Sequence, residues 1–333
     1  MLTGNGLGLL AAEIAEINRM LGRIGPALTS SKRTLENRKQ VLEGKIAHLA
    51  QQPETSAFVE LLFSGGPVIG DRAIDVAFSS DALFFYQDVI TKVSAVKNGG
   101  LASQGSIAGS VTENARLFVT GVGKGSFGFI LEEDPDRVLP LFNYPLKDVV
   151  AEVSETMSAL CKDDDKDYDN VVQELNPRVF SSFKKFFKLL RDAKAEMKVI
   201  DRLEGKIFDA AGIDRAYVRT SLTQVEDEER RMTGTLTGLA DGMFNFVSDN
   251  QFPFTGKPAP TFGTEFKEQV SKAVFAYELG GKYSAQIIRR TTKRGTAAAH
   301  ISYFLVGLLQ AGNLDNPDTE WTKTEVSEPA IRN

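Results

Sequence analysis

The sequence predicts an α+β chain in three modules. An N-terminal helical hairpin spans 1–54, a central α+β domain spans 55–225, and a five-stranded small β-barrel with one helix spans 226–310, leaving a tail over 311–333. Three observations carry this expectation. Near the N-terminus, apolar residues recur every three and four positions, the spacing of one helix face. From Ala57 to Ile200, alternating apolar runs mix with amphipathic helical runs. Beyond Arg231, five strand-like runs follow one another, with a single helical run between the third and the fourth. A chain of 333 residues is long enough to bury a sizeable core.

In the first module Leu10, Ile14, Ile17, Leu21 and Ile24 form one face with coiled-coil spacing. Gly25-Pro26 ends that helix. Leu35, Leu42, Ile46 and Leu49 continue the pattern on a second helix, with Lys39 where an apolar residue is expected. Two amphipathic helices cover only each other's seam. The hairpin is therefore expected to pack on the body or on a second copy, with the second copy preferred, giving a dimer or higher oligomer through Leu10, Ile14, Ile17, Leu21, Ile24, Leu42 and Ile46.

The central module opens with a strand over 58–63 and a turn at Ser64-Gly-Gly-Pro67. Ile74, Val76 and Phe78 alternate as a second strand, and Asp81 is expected to cap a helix running to Lys97. Leu83, Tyr86, Val89, Ile90 and Val93 form its buried face. Pro145 suits the first turn of another helix, whose inner face is Leu146, Val149, Val150, Val153, Met157 and Leu160. KDDDKDYD, from Lys162 to Asp169, reads as a solvated acidic loop; it lacks the mid-loop glycine and closing glutamate of a calcium loop. A helix from Pro177 to Ala193 buries Val179, Phe183, Phe186, Phe187 and Leu190 and turns a basic face to water.

Between these elements lies ARLFVTGVGKGSFGFILEE, residues 115–133, read as two strands around a glycine turn. Gly121, Gly123 and Gly125 are expected to supply positive φ angles there. GKGSFGFI, from Gly123 to Ile130, resembles the glycine-rich loop of protein kinases. No V-A-I-K strand, H-R-D or D-F-G accompanies it, so the hairpin is expected to be structural. A turn holding phosphate on the backbone of Gly123, Lys124, Gly125 and Ser126 is the alternative.

In the third module the strand runs are 231–239, 243–248, 252–256, 283–291 and 301–309, with a helix over 262–278. This order resembles the OB-fold barrel, with an SH3-like barrel as its rival. The resemblance implies that the connection after the fourth strand grips nucleic acid, through Arg289, Arg290, Lys293 and Arg294, with Phe244, Phe246, Phe252 and Phe254 as candidates for stacking on bases. From Glu229 to Leu309, ten Lys and Arg stand against six Asp and Glu, a balance of +4 against −9 for the remainder. The whole order, hairpin, G-S-F-G-F turn, helices and small barrel, resembles uncharacterised bacterial proteins. That resemblance implies membership of a multi-protein system such as antiviral defence.

The net charge of −5 argues against nucleic acid as partner of the whole surface. The one cysteine, Cys161, excludes an internal disulfide and a cysteine-cluster metal site. With two histidines, His48 and His300, in unrelated contexts, no catalytic constellation, metal site or cofactor is expected. The N-terminus lacks a basic leader and no run is long enough for a membrane span, so a cytoplasmic location is expected. The expected function is a non-enzymatic oligomeric scaffold or adaptor for a protein partner. DNA or RNA binding, and nucleotide or phosphate sensing, are the alternatives.

Overall fold

A computed structural model describes residues 14, 17–22, 29–51, 56–98, 101–102, 105–123, 127–134, 144–201, 205–240, 242–259 and 277–310. The chain divides into two units, the first of residues 1–227 and 291–301, the second of 228–290 and 302–333.

The first unit begins with helical residues at 14 and 17–22 and helix α1 (Thr29–Gln51). Ile17 and Leu42 are buried within the single chain, and Ile14 and Leu21 are half-buried. Part of the seam expected between copies is thus already covered. Ile46 lies on α1, whereas Leu10 and Ile24 lie outside the described residues. Lys39 sits on the rim, 3.7 Å from Glu43.

Five antiparallel strands form the sheet of this unit: β1 (Phe58–Gly65), β4 (Phe118–Gly123), β5 (Phe127–Glu132), β6 (Ala195–Asp201) and β7 (Gly205–Phe208). Their order is β4-β5-β1-β6-β7. A two-stranded ribbon, β2 (Val68–Ile69) and β3 (Ala73–Ile74), follows β1. Val59, Leu61 and Phe63 on β1 point to one face with Leu131, Met197 and Val199, and helices cover that face. These are α2 (Val76–Lys97), α4 (Leu146–Cys161), α6 (Pro177–Asp192) and α7 (Ala210–Leu222). Short α3 (Gly109–Asn114) and α5 (Asp165–Glu174) complete the set. All six inner residues expected on α4 and all five expected on α6 are buried. Each such side chain contributes about 1.5–3 kcal/mol of burial.

Two expectations for local structure are corrected. Val76 and Phe78 do not continue a strand. The Asp75 carboxylate accepts from the Phe78 N–H at 2.8 Å and starts α2 five residues before Asp81, which lies inside the helix. The acidic run is not a loop: Asp164 accepts from the N–H groups of Lys166 and Asp167, so α5 begins within it. Glu226 to Glu229 lie on a strand, β8 (Thr223–Ala240).

The remaining strands are β9 (Met243–Ser248), β10 (Pro253–Pro258), β11 (Lys282–Arg294) and β12 (His300–Gln310). With β8 they close into a ring, in the order β10-β12-β11-β8-β9. β10 runs antiparallel to β9 and parallel to β12. Leu236, Phe244, Phe246, Phe254, Ile287 and Leu305 fill the ring. Phe254 is central, its ring centroid 5.8 Å from Phe244, 5.5 Å from Phe246 and 4.8 Å from Tyr303. The helix expected over 262–278 lies almost wholly outside the described residues. Among the described residues no helix is long and apolar enough to cross a membrane.

Candidate interaction surface

The glycine hairpin is shaped by packing. Gly121, Gly123 and Gly128 lie in strands with no positive φ, which corrects the expectation for the first two. A Cβ on Gly123 would meet the Glu60 carboxylate and the Leu62 side chain. One on Gly128 would meet the backbone carbonyl of Leu61. Two of the glycines thus give room to the neighbouring strand β1. Glu60 and Glu132 are both buried on that side of the sheet. Carboxylates beside Gly123 oppose an anion there. Lys124, Gly125 and Ser126 lie outside the described residues.

The basic connection meets partners inside the chain. Arg289 is 3.5 Å from Glu228. Arg290 is buried, its guanidinium 4.6 Å over the ring of Phe304. Arg294 reaches Asp165 at 3.0 Å and Asp169 at 3.4 Å. Lys293 is exposed. Arg219 joins the same cluster, 2.8 Å from Asp165. The hydrogen bond from Arg294 holds the Asp165 carboxyl below its usual range. Tyr168 lies beneath both guanidinium groups and its hydroxyl meets Thr223 at 3.0 Å; burial pushes its pKa up to about 12. The acidic and basic runs of the sequence therefore bind one another. Phe244 and Phe246 are 0% and 1% exposed. They and Phe254 are interior to the ring, so the expectation that these three stack on bases is corrected, whereas Phe252 is 56% exposed.

Other reactive groups are placed structurally. Lys92 donates to Asp88 and Ser182, both at 2.7 Å, and Ser182 is wholly buried. This trio clasps α2 to α6. Burial pushes the Cys161 thiol up to about 12. Among the described residues no group of His, Cys, Asp and Glu is set to hold a metal ion.

What the unit does present is an apolar surface along one sheet edge. Among the described residues β4 pairs only with β5, and its ladder shifts between Val119 and Gly121. The bulge matters because it places Val119 opposite Leu131 and Val122 opposite Phe129. Leu131 and Phe129 share the helix-side face, so both valines point there, although they are three residues apart. They are 53% and 54% exposed.

Helix α2 flanks this edge. Gln87 donates to the Ala115 carbonyl at 2.7 Å and accepts from the Leu117 N–H at 2.9 Å. At the other end Phe78 packs edge-on against Phe63, centroids 5.3 Å apart. These two ties set α2 antiparallel to β4. From Gln87 back to Val76 is about 16 Å along a helix, and Leu117 to Val122 is about 16 Å along a strand. Val76 and Phe84 lie on the helix stripe that also holds Gln87. Val76 is 80% exposed and Phe84 64%. Large apolar side chains left exposed on two elements are candidates for an interaction surface. Phe84 lies one position off the core stripe of α2, so helical periodicity does not mark it.

Compared with known proteins, the chain matches no family model, no curated protein and no solved structure.

Proposed function

We propose that this protein acts by binding rather than by catalysis, as a scaffold or adaptor that docks a protein partner on Val76, Phe84, Val119 and Val122. The observation that supports the reading is the exposure of four large apolar side chains on two elements tied together by Gln87. Such side chains lose their hydration cost only when something covers them. We also infer that the second unit is an OB-like barrel. Its support is the ring of five strands, closed by parallel pairing of the third with the fifth. Protein is placed ahead of nucleic acid as partner because Phe244 and Phe246 face inward and Arg290 and Arg294 serve internal contacts.

A photo-crosslinking residue at Phe84, in cells that make the protein, tests the reading. It should give a discrete adduct, and the same group at exposed Glu36 on α1 should not. Equal labelling from both positions, or none from Phe84, would refute it.

A further inference from the structure

We infer that the outward face of α6 is a further binding surface, one that holds the phosphate backbone of duplex nucleic acid without reading its sequence. It lies on a different element from the α2–β4 edge, so either reading can fail without the other. Helix α6, PRVFSSFKKFFKLLRD, carries five cations and one acid. Its balance is +4 on a chain whose net charge is −5. Arg178, Ser181, Lys184, Lys185, Lys188 and Arg191 follow at helical spacing on one side of the helix. The opposite side is committed to the core, where all four phenylalanines of α6 are buried. The Ser182 hydroxyl donates to Asp88 at 2.6 Å and accepts from Lys92 at 2.7 Å, which fixes the rotation of α6 against α2. The cations are therefore held outward.

The acids that border this face are already matched. Lys92 lies 2.7 Å from Asp88, Lys188 2.6 Å from Asp192 and Arg191 2.8 Å from Asp214. Arg178 donates to the carbonyls of Ala102 and Gly105, at 3.0 and 2.8 Å, which leaves its charge uncompensated. Among the described residues no acid lies within ion-pair distance of Lys184 or Lys185. Lys185 is exposed and Lys184 half-exposed. This face thus carries surplus positive charge on an acidic chain.

Charge complementarity calls for an anion, and the side chains select the kind. The stripe offers Arg, Lys and Ser, the groups that contact phosphate oxygens. It offers no apolar or aromatic side chain. A protein interface needs an apolar centre, and a helix on a bilayer inserts apolar side chains. A single strand stacks its bases on aromatic rings. A duplex backbone needs only a row of cations. Lys184 to Arg191 rises about 10 Å along the helix, and one strand of a duplex carries a charge about every 3.4 Å. The row therefore meets two or three phosphates together.

Fluorescence anisotropy of two labelled duplexes of unlike sequence, with the full chain, is the test. At about 50 mM salt binding should be saturable and equal for both, and at about 200 mM it should weaken about ten- to fortyfold, the dependence that two or three phosphate contacts give. Lys184→Gln together with Lys185→Gln should weaken binding at least about tenfold at the lower salt and flatten the salt dependence. The thermal midpoint of that variant should stay the same. Lys32→Gln with Arg33→Gln, at exposed positions on α1, should leave binding unchanged. No binding at the lower salt overturns the inference, as does binding that ignores the α6 substitutions or favours one duplex severalfold. Equal affinity for polyglutamate would mean bare attraction between charges and overturn it too. Retention on phosphatidylserine vesicles without duplex binding would assign the face to a membrane surface instead.

Discussion

At Gly128 and Gly123 the same atom, a Cβ, would meet two different obstacles. At Gly128 it meets the carbonyl of Leu61, part of a central strand that cannot yield. At Gly123 it meets the ends of the Glu60 and Leu62 side chains, which can turn aside. Gly128→Ala is therefore expected to cost about 1–3 kcal/mol, the usual range for an overpacked core, and Gly123→Ala clearly less. Urea unfolding of the two variants checks the order. If Gly123→Ala proved the costlier, the side chains over that residue would be more rigid than the strand. The motif was legible in the sequence as glycines in a hairpin, and so was its poor match to a phosphate loop. Its cause was not, because it lies on β1, more than fifty residues earlier in the chain.

Helices announced themselves best. The inner faces of α4 and α6 could be read residue by residue, since a covered helix repeats its apolar positions without interruption. β6 also carried a period of two, with Ala195, Met197 and Val199 inward, yet it was passed over beside the stronger helical signals. Pairing between elements was out of reach. Arg294 and Asp165 lie 129 positions apart, and each charged run alone looks like a solvated surface. Their clasp makes a prediction at this scale. The Gly295 N–H donates to the Leu222 carbonyl at 2.9 Å, so exchange of that amide reports on the β11–β12 tip. Asp165 has a folded pKa below its unfolded one, so its contribution is present above the unfolded value of about 3.9 and fades as pH falls through the folded value. Acid, Asp165→Asn or Arg294→Ala should each speed exchange at Gly295 relative to the core. The direct effect on global stability should be small, because exposed ion pairs are screened by water. Unchanged protection at Gly295 in Arg294→Ala would mean that the backbone alone holds the tip.

On the scale of the chain, composition and periodicity change near residues 54 and 226 and suggest three modules, whereas the structure divides into two units, with 1–227 in one of them. The units themselves are not continuous in sequence. Residues 291–301 belong with 1–227, and the chain passes between the units at 227/228, 290/291 and 301/302. No local pattern signals this, since β11 and β12 read as uninterrupted strands throughout. A cut at 225/226, where the sequence suggests a boundary, therefore removes the acids that Arg294 binds and the Leu222 carbonyl that Gly295 uses. The fragment 226–333 should keep the aromatic interior around Phe254, because every side chain in that cluster stays with it. Its hairpin tip should lose protection. Amide exchange on this fragment should thus show a slow core at Phe244, Phe246 and Ile287 with fast exchange from Thr291 to Ile301. In the full chain Gly295 should be slow. If the fragment protected its tip as the full chain does, the clasp would be incidental and 225/226 would be a true domain boundary. If the core were unprotected as well, the ring would depend on the first unit for folding, and the chain would be one cooperative body with two centres of packing.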